Sequence, residues 1–153
     1  TDLSIVKTVI RSNNNRNNLL ISKIEKIMKN NLKNKNVTFL GVTFKAGTDD
    51  MRESPSLKII PKLIKKGSLI KYYEPTGAKK EFNKLKNIKY CEKIRDACKY
   101  SDLLIIHTEW NDFKQLNFKN LVGKKNFKIY DMRNLYSLRS MQKNKINYFC
   151  VGR

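Results

Sequence analysis

The chain has 153 residues, of which 40% are hydrophobic, and its 33 basic and 13 acidic side chains give a net charge of +20. This length and apolar content suit one folded domain with a sizeable core and exclude a disordered chain. The charge suggests nucleic-acid binding, but 26 of the basic residues are Lys, whereas Arg is the residue that reads base edges. We therefore favour a solvated Lys-rich surface and expect no specific nucleic-acid partner.

The first predicted element is a helix over residues 2–29, followed by a loop with the sequence NNLKNKN. The polar segment RSNNNRNN at its centre allows either a weak, exposed stretch or a break. Two apolar stripes at helical spacing support the helix, Leu3-Val6-Ile10 and Leu20-Ile24-Met28.

A buried strand is predicted next, because VTFLGVTF (residues 37–44) is rich in β-branched and aromatic residues. A helix should begin near Ser54, which can cap it, with Pro55 at the first helical position. Gly67 marks its end.

The remaining segments continue to alternate between strand and helix patterns. Strands are predicted at SLIKYYE, IKY, DLLIIHT, FKIYDM and NYFCVG, and helices at AKKEFNKL, EKIRDACKYS and FKQLNFKNLVG. This alternation predicts an α/β fold, an open parallel sheet with helices on both faces, preceded by an N-terminal helix.

Ligands of such sheets bind beyond the carboxyl ends of the strands, where this sequence places Lys45 and Arg133. If their strands are neighbours, the two cations converge on one crevice that suits a phosphate or pyrophosphate, with help from the helix start near Ser54. Alternatively, both are surface residues or pair with the acids of TDDMRE (residues 48–53).

Other polar residues at these strand ends have two interpretations each. The TDDMRE acids could bind Mg²⁺, but a salt-bridge and capping role is favoured because Lys45 and Arg52 flank them. His107, the only histidine, is expected to be a structural residue rather than a base. Trp110 is expected to fill a core gap rather than stack on a base. Glu74 stands where dinucleotide-binding folds carry a ribose-binding acid, but G-x-G-x-x-G is absent.

Five ordered segments resemble the carboxy-terminal, UDP-binding domain of the UDP-glucose/GDP-mannose dehydrogenase family, over residues 37–153. The Thr-Glu-Trp-Asn segment at 108–111 is similar to the UDP-glucose branch, and Glu74 replaces the family's usual Asp. The resemblance implies a Rossmann-like sheet. The segments are LGVTFKAGTDDMRESPSLKIIPKL, YYEPTGAKKEF, SDLLIIHTEWNDFKQL, YDMRNLY and YFCVGR.

The resemblance also implies a function for the intact enzyme, the oxidation of UDP-glucose at C6 to the acid in two NAD-dependent steps, for polysaccharide synthesis. It implies that Phe44, Lys45 and Arg133 bind the substrate and that Arg52 reaches NAD. Asp49, Asp50 and Glu53 would fix the turn between them. Residues 1–36 would be the end of the middle-domain helix and a linker, with that helix in a homodimer interface.

The family's glycine fingerprint and catalytic cysteine segment are absent, and Cys91, Cys98 and Cys150 match neither that segment nor a metal-site spacing. We therefore expect a piece of a longer enzyme that is inactive alone, with NAD bound mainly elsewhere and no catalytic or metal-binding residue here. The odd number of cysteines and the lack of an apolar run of ~20 residues suggest a cytoplasmic protein without a membrane segment. The alternatives are a degenerate module that binds nucleotide or nucleic acid, and a dehydrogenase of another sugar nucleotide such as GDP-mannose.

Overall fold

The computed structural model describes residues 3–152, which contain a six-stranded, all-parallel sheet. Its strands, numbered along the chain, are Asn36–Leu40 (β1), Leu69–Tyr73 (β2), Ile88–Tyr90 (β3), Leu103–Ile106 (β4), Lys128–Asp131 (β5) and Asn147–Cys150 (β6). The strand order is β3-β2-β1-β4-β5-β6, as in doubly wound dinucleotide-binding folds. The predicted Rossmann-like α/β fold is confirmed.

Helices cover both faces of this sheet. They are Leu3–Ile27 (α1), Ser56–Lys65 (α2), Ile94–Cys98 (α3), Phe118–Val122 (α4) and Leu138–Lys143 (α5). One buried cluster joins α1 and α2 to Phe39 and Ile105, and another joins α3, α4 and α5 to Leu104 and Ile106. All four residues of β4 are buried because neighbouring side chains of a strand point to opposite, equally covered faces.

The first helix is continuous, since the Asn-rich centre of α1 does not break it. Its second half packs on the sheet through Ile21, Ile24 and Ile27. Its first half exposes a group of large apolar side chains, Leu3, Ile5, Val6, Val9 and Ile10. Within residues 3–152, no helix combines the length and the apolar character needed to cross a membrane.

The first strand is shorter than predicted, because β1 ends at Leu40 and not at Phe44. Gly41 has a φ of +76°, which breaks the extended conformation, and its N–H donates to Tyr73 O at 2.9 Å. The next two residues are buried in a loop rather than in a strand. Lys45 therefore lies several residues beyond the strand and does not follow it directly.

Three helix predictions also need correction. The expected helix at AKKEFNKL is a 3₁₀ turn, Lys80–Phe82, and α3 is only five residues long. The segment FKQLNFKNLVG (residues 113–123), predicted as loosely helical, is α-helical only over α4, and a 3₁₀ turn, Asn111–Phe113, ends where the segment begins. Helix α5 was not predicted. Helix α2 begins at Ser56, so Pro55 lies at the N-cap position and not at the first helical position as predicted. Ser54 lies one residue earlier, and its Oγ accepts from Ser56 N at 3.3 Å. Gly67 follows the end of α2, as predicted, with a φ of +92°.

Gly41 is expected to be irreplaceable for two separate reasons. A Cβ at this position would lie 2.5 Å from Thr108 Cβ, and the φ of +76° is itself strained for other residues. We expect Gly41→Ala to lower the free energy of unfolding by about 3 kcal/mol or more, since αL strain and a steric clash add. Chemical denaturation of the 153-residue chain measures this.

Gly47→Ala is the matched control. Gly47 has a φ of +78°, and apart from its two chain neighbours no described residue has an atom within 4 Å of the place that an added methyl group would occupy. The substitution should cost only the αL strain, about 1–2 kcal/mol. Equal costs at the two positions would show that the approach of Thr108 to Gly41 does not constrain the loop.

Candidate functional site

The candidate site lies at the carboxyl edge of the sheet, where β1 and β4 are neighbours. From β1 the chain continues to β2 on one side, and from β4 it continues to β5 on the other. The connections therefore diverge at this point and leave a crevice, which is where open α/β sheets bind ligands. The loops that follow β1, β4 and β5 border this crevice.

The loop after β5 is organised by the buried carboxylate of Asp131. Its Oδ1 accepts from Arg133 N at 2.9 Å. Its Oδ2 accepts from Tyr136 N at 3.1 Å and from the Tyr148 hydroxyl at 2.6 Å. These bonds fix the backbone of the turn that carries Arg133.

The Arg133 side chain lies across the ends of the strands. Its Nε donates to His107 O at 2.8 Å, and its Nη2 donates to Phe44 O at 3.3 Å. The guanidinium therefore links the loops after β5, β4 and β1. Lys45 follows Phe44 in the chain and is exposed. The structure thus brings Phe44 and Arg133 into contact and leaves Lys45 beside them, while their role as substrate ligands remains a prediction.

The loop after β1 is held by a second buried carboxylate, that of Glu74 at the end of β2. Its Oε2 accepts from Val42 N at 2.8 Å and from Thr43 N at 3.4 Å. Its Oε1 accepts from Thr76 N at 3.4 Å and from the Thr76 hydroxyl at 3.0 Å. Both oxygens are occupied, so Glu74 shapes the Phe44–Lys45 loop and is not placed as a free ribose ligand.

Thr108 holds the same loop from the other side. Its Oγ1 donates to Thr43 O at 2.9 Å, and the lack of a side chain at Gly41 makes room for this threonine. The sequence pattern indicated Glu74 only as a weak cofactor signal and gave Thr108 no separate role. An acid or hydroxyl within two residues of the end of a strand is the signal that could have identified both as loop anchors.

Arg52 turns back on its own loop. Its Nε and Nη2 donate to the two Asp50 oxygens at 3.0 and 3.1 Å, and its N–H donates to Asp50 Oδ1 at 2.9 Å. These hydrogen bonds lower the pKa of the Asp50 carboxyl, with a smaller contribution from the Lys45 charge. The ion pair with Arg52 confirms the salt-bridge interpretation of Asp50. The backbone O of Asp50 in turn accepts from Phe44 N at 3.0 Å.

The other acids of this loop are not part of that arrangement. Asp49 and Glu53 make no hydrogen bond or ion pair within the part of the chain that the structure describes. Arg52 itself is 89% exposed, so its pairing with Asp50 is of the weak, solvent-screened kind and leaves the guanidinium able to exchange partners. Its predicted contact with NAD remains a prediction.

His107 is buried and electrically neutral. Burial, with the Arg133 charge as a second cause, lowers the pKa of His107 from 6.5 to about 3. Its Nδ1 lies 3.0 Å from Thr108 Oγ1, and that hydroxyl already donates its proton to Thr43 O. Nδ1 must therefore be the protonated nitrogen and the donor. Nε2 is left as a buried acceptor with no hydrogen-bond partner among residues 3–152.

Trp110 packs against the second core cluster, as expected for a residue that fills a gap. Its Nε1 is buried and has no hydrogen-bond partner among the described residues. Phe113, in the following 3₁₀ turn, is fully buried and contacts Tyr73 edge-to-face with ring centroids 6.0 Å apart. The segment after β4 thus closes the core beneath the crevice.

The doubly wound sheet and the cationic crevice at its switch point define a nucleotide-binding α/β domain. The family model of the UDP-glucose/GDP-mannose dehydrogenase family, UDP binding domain, matches residues 38–138. The chain belongs to this family.

Individual relatives agree with this assignment. The chain is 39% identical over 155 residues to a UDP-glucose 6-dehydrogenase of Rickettsia felis, covering 99% of this chain and 34% of the relative. It is 33% identical over 156 residues to a UDP-glucose 6-dehydrogenase of Bacillus subtilis, covering 99% of this chain and 35% of the relative. The chain thus spans about a third of the length of the curated relatives it matches.

Solved structures show the same fold. A UDP-D-ManNAc dehydrogenase from Pyrococcus horikoshii superimposes with a TM-score of 0.77 at 19% identity, covering 100% of this chain and 34% of that one. A UDP-glucose dehydrogenase from Pyrobaculum islandicum does so with a TM-score of 0.72 at 23% identity, covering 95% of this chain and 32% of that one.

His107 should not titrate in the ordinary range, and this has a consequence for stability. The folded pKa of about 3 lies below the unfolded value of 6.5, so the unfolded state binds more protons between these limits. The stabilisation that the neutral His107 ring contributes to the free energy of unfolding is complete above pH 6.5, and it is lost as the pH falls towards 3. Over the first 1.5 or so pH units of that fall the loss should be roughly 2 kcal/mol.

Nitrogen NMR of the single imidazole should therefore report a constant neutral ring, protonated at Nδ1, from about pH 8 to about pH 5. His107→Gln, which cannot gain the charge, should lose this part of the pH dependence of unfolding while the carboxylate contributions stay. A titration midpoint near the ordinary value for histidine would contradict the burial described here.

Proposed function

We propose that this chain is the substrate-binding domain of an NAD-dependent UDP-glucose 6-dehydrogenase, which oxidises the C6 alcohol of UDP-glucose to the carboxylate of UDP-glucuronate for polysaccharide synthesis. The observation that carries the proposal is the contact of Arg133 with the Phe44–Lys45 loop at the switch point of the sheet. The identity to the Rickettsia felis enzyme supports UDP-glucose as the substrate.

In this proposal Phe44, Lys45 and Arg133 hold the UDP portion. Arg133 can offer guanidinium N–H groups to a phosphate oxygen, while the exposed Lys45 ammonium adds a point charge. The backbone of Phe44 is fixed by hydrogen bonds to Asp50 and Arg133. This part of the site is therefore already formed before the ligand binds. Such preorganisation reduces the entropy cost of binding.

The crevice of this chain does not fit NAD as its own dinucleotide site. The glycine fingerprint is absent from the loop after β1, and Glu74, at the ribose-binding position, is fully used by backbone and hydroxyl donors. We place NAD, which would accept hydride from the substrate, mainly on an amino-terminal domain of the proposed enzyme. For Arg52 to contact NAD, its guanidinium would exchange Asp50 for the cofactor, and the nucleophilic cysteine would lie outside this chain.

The proposed domain division places residues 1–36 at the end of a middle-domain helix and its linker, and residues 37–153 in the UDP-binding domain. The three cysteines, Cys91, Cys98 and Cys150, are all buried thiols, which is compatible with a reducing, cytoplasmic location.

UDP binding to the 153-residue chain tests the site directly. We expect Lys45→Ala and Arg133→Ala each to weaken UDP binding roughly tenfold to a hundredfold, because each removes a charged partner worth about 1.5–3 kcal/mol. NMR titration measures this even at weak affinity. Lys58→Ala, which removes an exposed lysine of α2, is the matched control and should leave binding unchanged.

Salt dependence separates this proposal from a polyanion-binding module. Affinity for UDP should fall only weakly with salt, whereas binding of a polyanion through many lysines falls steeply. Tighter binding of a single-stranded oligonucleotide than of UDP, with a steep salt dependence and no effect of Lys45→Ala, would refute the UDP site. Tighter binding of GDP than of UDP would refute the assigned base.

The exposed apolar side chains in the first half of α1 support a homodimer interface in the proposed enzyme. Large contiguous apolar patches mark interaction sites. We expect the chain to associate reversibly, and Val6→Glu to weaken the association at least tenfold, because a charge would be buried. Sedimentation velocity measures the association. Asn14→Glu adds the same charge at an exposed polar position of α1 and should have little effect on the association. A chain that stays monomeric, or that associates equally well with Val6→Glu, would contradict the interface.

A further inference from the structure

A buried lysine, Lys79, lies beside the carboxylate of Glu74 that holds the Phe44–Lys45 loop. Lys79 is only 7% exposed, and its N–H donates to the Tyr72 hydroxyl at 2.9 Å, which ties the residue to β2. Its ammonium makes no ion pair within the described part of the chain. Lysines are almost never buried without a partner of opposite charge, so the burial of this one requires a physical reason.

The Thr76 hydroxyl connects this lysine to Glu74. Lys79 Nζ donates to Thr76 Oγ1 at 2.7 Å, and Thr76 Oγ1 donates to Glu74 Oε1 at 3.0 Å. The direction of both hydrogen bonds is fixed, because an ammonium can only donate and the single hydroxyl proton is left for the carboxylate. The three groups therefore form one chain of hydrogen bonds that leads from a buried cation to a buried anion.

The far end of this chain is the loop after β1. Glu74 is fully buried, and its Oε2 accepts from Val42 N at 2.8 Å and from Thr43 N at 3.4 Å. Thr43 Oγ1 in turn donates to Lys45 O at 3.1 Å. The placement of the Phe44–Lys45 loop therefore depends on how firmly the Glu74 carboxylate is held.

The Glu74 carboxylate requires a positive charge nearby. An isolated buried charge is costly, and removal of one member of a buried pair leaves the other uncompensated. Glu74 makes no direct ion pair with any residue that the structure describes, and its donors are backbone N–H groups and the Thr76 hydroxyl. Lys79 is the cation to which these hydrogen bonds lead, and hydrogen bonds in such a buried chain strengthen one another.

We propose that Lys79 and Thr76 are positioning residues for the Phe44–Lys45 loop. The Lys79 ammonium, acting through the Thr76 hydroxyl, supplies the positive charge that keeps the Glu74 carboxylate on the backbone of the loop. Neither residue is among the proposed substrate ligands. The expected effect on UDP binding rests on the proposed function, whereas the chain of hydrogen bonds does not.

NMR spectra of the 153-residue chain test the hydrogen bonds in the absence of UDP. In Lys79→Met, which removes the charge but retains the buried part of the side chain, the amide proton of Val42 should move upfield, because its hydrogen bond to Glu74 weakens. Lys80→Met removes the charge of the exposed neighbouring lysine and should leave this resonance in place. An unchanged Val42 amide in Lys79→Met, or an equal shift in both variants, would overturn the proposal.

Thr76 provides a second pair of variants that leaves the buried lysine intact. Thr76→Val has nearly the same shape but no hydroxyl, so it should reproduce the upfield shift of the Val42 amide. Thr76→Ser keeps the hydroxyl and should not. Because Thr76 is exposed, both variants should remain folded. Identical Val42 resonances in the two variants would overturn the relay through Thr76.

UDP titrations measure the consequence for the site. We expect Lys79→Met and Thr76→Val each to weaken UDP binding roughly threefold to tenfold, the effect of one hydrogen bond, while Lys80→Met and Thr76→Ser bind as the wild-type chain does. In a chain that carries Glu74→Gln, Lys79→Met should weaken binding no further, because the charge that Lys79 compensates is gone. Additive effects of these two substitutions would contradict the coupling.

The positioning role and the UDP site fail in different ways. If the wild-type chain does not bind UDP, the proposed function is wrong, while the Val42 amide still tests Lys79. If the wild-type chain binds UDP and Lys79→Met binds it equally well, the positioning role is wrong and the UDP site stands.

Discussion

The arrangement of the site depends on one side chain, Arg133, which donates to backbone carbonyls of the loops after β1 and β4. These bonds leave its remaining guanidinium N–H groups for other partners, so the same residue can close the crevice and bind an anion. Two buried carboxylates make this possible. Asp131 fixes the turn before Arg133, and Glu74 fixes the loop it reaches. Each acid accepts backbone N–H groups that would otherwise be buried without partners.

Much of the fold could be predicted because the central strands are buried on both faces. β1 and β4 are short apolar runs between polar segments, and they alternate with amphipathic helices, which fixes a parallel sheet. The end of β1 could not be located in this way. Val42 and Thr43 are buried and β-branched like strand residues, but tertiary bonds to Glu74 hold them in a loop. Helix α5 was missed because it is only six residues long, although Ser137, which caps it, was a usable signal.

The candidate site was predictable at the level of position but not of contacts. Residues that follow strands of a parallel sheet share one edge, so Arg133 and the Phe44–Lys45 loop could be placed at the same edge. Their convergence was expected only if their strands were neighbours. The strands β1 and β5 are separated by β4, and Arg133 reaches across the end of β4 to the β1 loop. The partners of each side chain depend on strand neighbours and loop shape, which residue patterns do not encode. The salt-bridge role of Asp50 was predicted, but the unpartnered nitrogen of His107 became visible only in three dimensions.

The most direct test of the proposed UDP site is a crystal structure of the 153-residue chain with UDP bound. We expect the diphosphate at the carboxyl edge, between the Lys45 ammonium and the Arg133 guanidinium, with the β1 loop unchanged. A diphosphate bound instead at the opposite edge of the sheet, for example in the cavity lined by Lys119, Lys124, Lys125 and Lys145, would contradict the site.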